Sequence, residues 1–158
     1  MKIDIKKLKT LREETGVSYA LCKKALMEAN NDLEKAKQIL FKQGAKRIEK
    51  KKEKKTSEGR IFSYVHHNGK YASLVELLTQ TDFVAKNKEF LELGKNLAMQ
   101  AASLTFKTKE EFLNQEFIKD ASLTVQKLIE NYIVKLGENI TLSRVIRWEL
   151  GENLEKSK

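Results

Sequence analysis

The sequence is short of the residues that cross-link or interrupt a small protein. Its 158 residues include no proline, one cysteine and one tryptophan. The single cysteine, Cys22, excludes an intrachain disulfide framework and is typical of a reducing compartment, where such a residue is usually a small buried hydrophobe. The absence of proline removes one common cause of broken helices.

Long apolar runs and targeting segments are also missing. No apolar run approaches the roughly 20 residues that are needed to cross a bilayer. The first four residues, Met1 to Asp4, form neither the apolar core of a signal peptide nor an acid-free transit peptide. We therefore expect a cytoplasmic protein that makes no use of a membrane.

Motifs that carry chemistry are absent as well. The sequence has no glycine-rich phosphate loop, no nucleophile elbow and no metal signature. His66 and His67 are adjacent, but neighbouring strand residues point to opposite faces, and no second group of ligands is spaced to complete a site. We expect a protein that is not an enzyme and that uses no metal or other cofactor.

Charge is what the sequence has in abundance. Charged residues make up 34% and hydrophobic residues 41%, a balance typical of a folded, helix-rich protein, and the formal net charge is +9. A chain of this length buries one core and leaves room for a small satellite domain. The positive charge suits a nucleic acid, and it suits an acidic protein surface equally well.

The pattern of residues 1–45 predicts three short amphipathic helices. Gly16 is placed to end the first helix in a left-handed cap and Ser18 to cap the second, and the third begins at Asn31 or Asp32 and ends at Gly44. Apolar residues recur at helical spacing in all three helices: Ile5, Leu8, Leu11, Leu21, Cys22, Ala25, Leu26, Ala29, Leu33, Ala36, Ile39 and Leu40. We predict a compact three-helix bundle of the ubiquitin-associated type.

A strongly basic run follows the bundle. From Lys46 to Lys55 only Ile48 is apolar. Such a run buries almost nothing, so we interpret it as a solvated linker or an exposed helix rather than a dedicated nucleic-acid arm. We assign residues 46–57 as a basic linker, which leads to a second unit at residues 58–150 and a tail at residues 151–158.

The second unit opens with a β-hairpin. Two strand-like runs, residues 60–67 and 71–78, flank Asn68-Gly69, the dipeptide that most favours a two-residue type I′ turn. That turn puts His66 opposite Tyr71.

Helices and a further strand complete the second unit. Helical spacing covers residues 88–104, Thr108 starts a short helix that includes Phe117, and a longer helix ends at Gly137. Residues 140–150 alternate between apolar and mostly polar, the period of a strand with one buried face. We predict an α+β fold in which helices back a small antiparallel sheet.

The segment from Thr81 to Asn87 lies where the hairpin meets the next helix. From the residues alone, Asp82 or Asn87 caps that helix and Phe83 joins the core. The heptapeptide Thr-Asp-Phe-Val-Ala-Lys-Asn also resembles the signature of elongation factor Ts, the guanine-nucleotide exchange factor for elongation factor Tu. In that family the Asp and Phe point outward and wedge into the nucleotide-binding domain of the GTPase.

Two more segments carry the resemblance. Residues 11–16 together with 22–26 are similar to the opening of elongation factors Ts, and residues 136–140 resemble the family's Ile-Gly-Glu-Asn-Ile turn. Leu21 stands where the family usually has Asp, which removes a charge and can add a core contact. No motif occurs twice, so the chain resembles the short members that have a single core.

The resemblance implies a function and a set of contact residues. The protein would bind elongation factor Tu and promote release of GDP so that GTP can rebind. The wedge that displaces the Mg²⁺ ion would consist of Thr81, Asp82, Phe83 and Val84, and the secondary contacts would be Lys23, His66, Leu136 and Gly137.

Two expectations concern partners. A sheet of so few strands leaves edges and a face uncovered, so we predict a homodimer; only a second copy could bring His66 to another domain of the GTPase. The alternative function is a basic protein that binds nucleic acid or the ribosome, although the resemblance implies no specific nucleic acid. A ubiquitin-like adaptor would leave residues 58–150 without a role.

Overall fold

A computed structural model of the protein describes residues 2–152, so all but the first two residues of the predicted tail at 151–158 lie outside the described residues. They form two compact units that divide between Glu53 and Lys54. Helices make up the first unit, and the second combines helices with antiparallel strands, which confirms the predicted α+β fold. Within the described residues, no helix has both the length and the apolar character needed to span a bilayer.

The first unit is a bundle of three helices, α1 (Ile5–Thr15), α2 (Tyr19–Glu28) and α3 (Leu33–Lys52). Their apolar stripes meet in one buried cluster, as the helical spacing predicted, except that Ile5, the first residue of α1, is exposed. The cluster contains Leu8, Leu11, Cys22, Ala25, Leu26, Ala29, Ala36 and Leu40.

The ends of these helices follow from local chemistry. Gly16 ends α1 with a left-handed φ of 64°, and Asp32 caps α3 by accepting a hydrogen bond from the backbone N–H of Lys35 at 3.0 Å. Ser18 stands at the start of α2 as predicted, but its side chain makes no capping hydrogen bond. The predicted cap at Ser18 is therefore wrong. A serine at the start of a helix caps it only when its side chain adopts a rotamer that accepts a hydrogen bond from the first turn.

The third helix does not end at Gly44. It continues to Lys52, so most of the basic run forms the last two turns of this helix, with Ile48 buried and the charged side chains mostly exposed, rather than an irregular linker. Glycine costs only about 1 kcal/mol relative to alanine inside a helix, and the alanine, lysine, arginine and glutamate that follow it are compatible with continued helix. The single glycine is therefore not enough to stop the helix.

The second unit alternates strands and helices in an order that the sequence only partly predicted. Its elements are β1 (Glu58–Val65), β2 (Tyr71–Thr79), α4 (Asp82–Ala85), α5 (Lys88–Ser103), α6 (Lys109–Asn114), β3 (Glu116–Phe117), β4 (Asp120–Thr124), α7 (Val125–Leu136) and β5 (Ile140–Glu149). Strands β1, β2 and β5 form one antiparallel sheet with β2 in the centre, and β3 pairs with β4. Phe117, expected in the short helix, lies in β3.

Helix α5 covers one face of the three-stranded sheet. The hydroxyl of Ser73, on the buried face of β2, donates to the carbonyl oxygen of Ala98 in α5. The aromatic rings of Phe62 and Phe90 lie 6.0 Å apart between the sheet and the helix. The other buried apolar residues of β2, α5, α7 and β5 include Val75, Leu77, Leu93, Leu97, Ala101, Ile129, Ile133, Ile140 and Leu142.

The hairpin between β1 and β2 is confirmed, but its turn differs from the predicted type I′. The backbone N–H of Gly69 bonds to the carbonyl of His66, so the turn has His67 and Asn68 at its centre. Only Gly69, with φ 69°, takes the left-handed conformation that type I′ requires of both Asn68 and Gly69. His66 does lie opposite Tyr71, because its N–H donates to the Tyr71 carbonyl at 2.8 Å.

A β-bulge changes which face of β5 is buried. Glu76 pairs with Arg144 while the next residue, Leu77, pairs with Leu142, so Ser143 is the extra residue. The prediction that one set of alternating residues is buried along the whole of 140–150 is therefore wrong. Ile140 and Leu142 point into the core, and beyond the bulge three apolar side chains are exposed instead: Ile146, Trp148 and Leu150.

Candidate functional site

The segment after β2 presents an acid and an aromatic side chain to solvent. Thr81 caps α4, its hydroxyl accepting from the N–H of Val84, and Asn87 separately caps α5 by accepting from the N–H of Glu89 at 2.8 Å. Asp82 is exposed in the first turn, and Phe83 is 84% exposed. The expectation that Phe83 joins the core is wrong, whereas the expected cap at Asn87 is confirmed.

Helical geometry explains why Phe83 cannot also be buried. Successive side chains on a helix are about 100° apart, so Phe83 and Ala85 point in nearly opposite directions. Ala85 is buried against the rest of the unit, and Val84 is half-buried. With α4 docked through Ala85, its outer side carries Phe83.

The Asp82 carboxylate is paired within the same turn. The Lys86 ammonium donates to Asp82 Oδ2 at 2.9 Å, and both side chains are largely exposed. This hydrogen bond is the main cause that holds the pKa of Asp82 below its ordinary value of 3.8. Asp82 is therefore an anion at neutral pH, beside an exposed aromatic ring.

A second segment, distant in sequence, holds the junction between β2 and α4 in place. Glu138 accepts three hydrogen bonds from the end of β2 and the start of α4. Its Oε1 accepts from the Thr81 hydroxyl at 2.6 Å, and its Oε2 accepts from the Thr81 N–H at 3.1 Å. The Thr79 hydroxyl shares its single proton between Glu138 Oε2 and the Asn139 carbonyl, each at 3.0 Å. We call Glu138, Thr79 and Thr81 the Glu138 clamp.

The neighbours of Glu138 add further ties. The N–H of Asn139 donates to Gln80 Oε1 at 2.8 Å, and the buried Asn139 side chain donates to the carbonyl of Lys54 at 3.0 Å. Leu136, half-buried, ends α7, and the exposed Gly137 terminates it with φ 77°. The predicted residues at 81–84 and at 136–137 are therefore brought to one side of the second unit.

The structure places the other predicted residues elsewhere. Lys23 is exposed on α2, in the first unit. His66 lies at the end of β1, where its Nδ1 is 3.0 Å from the Tyr64 hydroxyl and its ring is 4.1 Å from that of His67. Over residues 2–152, no group of three or more histidine, cysteine, aspartate or glutamate side chains is arranged to hold a metal ion.

Comparison with known proteins identifies the family. The family models described as "Elongation factor TS" and "Elongation factor Ts, mitochondrial, N-terminal" match residues 80–156 and 1–47. Elongation factor Ts of Fervidobacterium nodosum is 36% identical over 197 residues, covering 96% of this chain and 100% of that protein. The chain belongs to the elongation factor Ts family.

Other elongation factors Ts give the same result. That of Thermotoga maritima is 38% identical over 198 residues, covering 98% of this chain and all of the relative. That of Clostridium botulinum strain Loch Maree is 40% identical over 155 residues, which is 98% of this chain but 50% of the relative. The first two alignments are longer than this 158-residue chain, so those elongation factors Ts contain segments that it lacks.

Family membership confirms the resemblance inferred from the three motifs. Leu21, which departs from the usual Asp of elongation factor Ts, packs against the core of the first unit, so the substitution adds an apolar contact. Sequence reasoning missed Glu138 and Thr79 as structural partners of the signature segment. The available signal was that Glu138 lies within one of the three family motifs, but its partner could not be read from the sequence.

Proposed function

We propose that this elongation factor Ts binds elongation factor Tu and accelerates release of GDP through the exposed pair Asp82 and Phe83. Such exchange requires no covalent step. It requires a surface that binds the nucleotide-free GTPase better than the GDP-bound form, because a ligand shifts an equilibrium only by its differential affinity. Coupling is reciprocal, so nucleotide in turn weakens the binding of the factor.

The single observation that carries the proposal is the exposure of Phe83. A phenylalanine that is 84% exposed on a docked helix has apolar surface to bury in a partner. Burial of such a ring contributes roughly 2 to 3 kcal/mol. If this contact forms only in the nucleotide-free complex, the affinity for GDP falls about tenfold for every 1.4 kcal/mol gained.

Asp82 supplies the electrostatic part of the proposed displacement. Its carboxylate stays ionised beside Lys86 and lies next to the Phe83 wedge in the chain. Inserted near the nucleotide of the GTPase, it would compete for groups that organise the Mg²⁺ ion. Thr81 and Val84 hold the pair in position. Thr81 caps α4, and the side chain of Val84 is half-buried.

The two units have separate tasks in this proposal. The three-helix bundle, expected at residues 1–45, docks on the nucleotide-binding domain through its exposed Lys23, and the basic segment at 46–57 connects it to the exchange unit at 58–150. Leu136 and Gly137 lie at the edge of the same contact as Phe83. A translation factor of this kind acts in the cytoplasm.

We further propose that the active form is a homodimer built on the outer face of the sheet. Helix α5 covers the inner face, whereas exposed apolar side chains occur on all three strands of the outer face: Ile61, Val65, Leu74, Ile146 and Trp148. Apolar patches of this kind mark interaction sites. A second copy is the occupant we favour, because two-fold pairing lets one face cover an identical face.

A dimer also gives the hairpin tip a role. The His66 side chain is held by the Tyr64 hydroxyl at the end of β1, next to the turn. In the proposed assembly the hairpin of the second copy reaches a domain of the GTPase other than the one that Phe83 enters.

One observation favours nucleic-acid or ribosome binding as a second candidate function. The last turns of α3 expose Lys46, Arg47 and Lys50. Contacts of these residues with phosphates would make the affinity fall steeply with salt, since each neutralised phosphate releases counterions. A fluorescent RNA oligomer titrated at 50 and 200 mM salt tests this function: binding at 50 mM that drops steeply by 200 mM supports it, and absence of binding at the lower salt excludes it.

The direct test of the exchange function is stopped-flow release of fluorescent GDP from elongation factor Tu. We expect micromolar concentrations of this protein to accelerate release in proportion to its concentration, and excess free GDP to reverse complex formation. A release rate that this protein leaves unchanged would contradict the proposal.

A further inference from the structure

We infer that Glu138 is a positioning residue for nucleotide exchange, which holds the helix that carries Asp82 and Phe83 in one orientation. This inference rests on the proposed exchange function. It adds to that function a residue that acts through Asp82 and Phe83 and does not itself touch the nucleotide of the GTPase. The geometry that points to it is the Glu138 clamp.

The clamp fixes Thr81 at two points. Glu138 Oε2 accepts from the backbone N–H of Thr81 at 3.1 Å, and Oε1 accepts from its hydroxyl at 2.6 Å. The backbone and the side chain of Thr81 are therefore tied to the same carboxylate, 57 positions later in the chain. A hydrogen bond to an ionised group is shorter and stronger than a neutral one.

Thr81 transmits this constraint to α4. Its hydroxyl donates to Glu138 and also accepts from the N–H of Val84, so the same oxygen caps the helix. Without the clamp, the hydroxyl could rotate away from the helix. Rotation would remove the cap and the backbone anchor together.

Helix α4 needs an external constraint because it is very short. Four residues cannot form a stable helix alone, since nucleation fixes several dihedral angles for a single hydrogen bond. Its largest side chain, Phe83, contributes little packing because it is exposed. What remains is the buried Ala85, the half-buried Val84, the exposed ion pair between Asp82 and Lys86, and the clamp at the N-terminus of the helix.

Loss of Glu138 should loosen α4 and leave the sheet intact. The pairing of Thr79 with Ile140 belongs to the β2–β5 ladder, and the Asn139 N–H still donates to Gln80. The free protein would then populate orientations of Phe83 that cannot enter the partner. Apparent affinity falls in proportion to the competent fraction, so exchange weakens even though Asp82 and Phe83 are unchanged.

The test is a double-mutant cycle with Glu138→Gln and Phe83→Ala. Glutamine keeps the size of the side chain but replaces one acceptor oxygen with an NH₂ group that cannot accept from Thr81 or Thr79. We expect Glu138→Gln to lower the second-order rate constant of GDP release about tenfold in the wild-type background. In the Phe83→Ala background the same change should have a clearly smaller effect, because the Phe83 ring is gone and only Asp82 is left to position.

Two controls separate positioning from a general loss of structure. Glu111 is exposed and accepts from the N–H of Lys107 at 2.8 Å at the start of α6, so Glu111→Gln makes the same chemical change at another helix start and should leave exchange unchanged. Thr81→Ser keeps the hydroxyl and should retain most of the activity, whereas Thr81→Ala should behave like Glu138→Gln.

Amide hydrogen exchange tests the same inference without the GTPase. In Glu138→Gln, the amides of Val84, Ala85 and Lys86 should exchange faster, while those in the middle of α5 keep their protection. Unchanged protection in α4 would overturn the inference, and so would equal losses of exchange activity in both backgrounds of the cycle. If the unaltered protein does not accelerate GDP release from elongation factor Tu, the proposed exchange function is contradicted. The hydrogen-exchange result still decides whether Glu138 orders α4.

Discussion

Gly94 in α5 lies directly beneath the ring of Phe62 in β1. A Cβ atom at position 94 would overlap three carbon atoms of that ring. The helix approaches the sheet this closely only because the residue has no side chain, and the Phe62 ring fills the space next to Phe90. The contact fixes the spacing between the helix and the inner face of the sheet.

Replacement of Gly94 with alanine should therefore destabilise the second unit. Overpacking of a core costs about 1 to 3 kcal/mol, and the gain in helix propensity, about 1 kcal/mol, offsets only part of it. Urea unfolding of Gly94→Ala measures the net loss. The double variant Gly94→Ala/Phe62→Leu, whose smaller side chain leaves room for the methyl group, should recover part of the stability; no recovery would mean that the ring is not the obstacle.

Phe83 and Phe90 should respond oppositely to truncation. Phe83→Ala removes an exposed ring, so the melting temperature should hardly change, while GDP release slows about 30- to 150-fold through the loss of roughly 2 to 3 kcal/mol of partner contact. Phe90→Ala empties a fully buried site and should cost about 3 to 5 kcal/mol of folding stability. Thermal unfolding and stopped-flow release on both variants check this, and a large drop in the melting temperature of Phe83→Ala would argue against the wedge.

The ion pair between Asp82 and Lys86 makes a prediction about pH. The pKa of Asp82 is lowered in the folded protein, chiefly by the hydrogen bond from Lys86. The pair therefore contributes to folding stability at pH values above the ordinary pKa of 3.8. That contribution is lost as the pH falls through the lowered pKa of Asp82 in the folded protein. Lys86→Gln should raise the pKa of Asp82 toward 3.8 in an NMR titration of the side-chain carboxyl carbon; an unshifted pKa would rule out Lys86 as its cause.

The outer face of the sheet predicts a dimer that charge can dissociate. Trp148 is 69% exposed and lies beside Ala72 on this face. Trp148→Glu would put a carboxylate and its copy in the proposed interface, so light scattering should report a monomer. The matched control is Ile5→Glu, which changes an isoleucine that is 76% exposed in the first unit and should leave the dimer intact. An unaltered protein that is monomeric at tens of micromolar and fully active in exchange would contradict the dimer.

The sequence by itself determined the features that depend on neighbours along the chain. Helical spacing located α1, α2, α5 and α7, Gly16 and Gly137 marked left-handed helix ends, and Asn68-Gly69 located the hairpin. These features follow from local backbone preferences and side-chain periodicity. The signature segment also identified the family, since seven consecutive residues form a specific pattern.

Only the tertiary structure decided the features that depend on distant partners. The bulge at Ser143 reverses the buried face of β5, and a register shift leaves no mark in an alternating pattern. Phenylalanine is a residue type usually buried in cores, and Phe83 is exposed only because α4 docks through Ala85. Glu138 pairs with Thr81 across 57 positions because the ladder between β2 and β5 brings them together. No local preference of either residue predicts that contact.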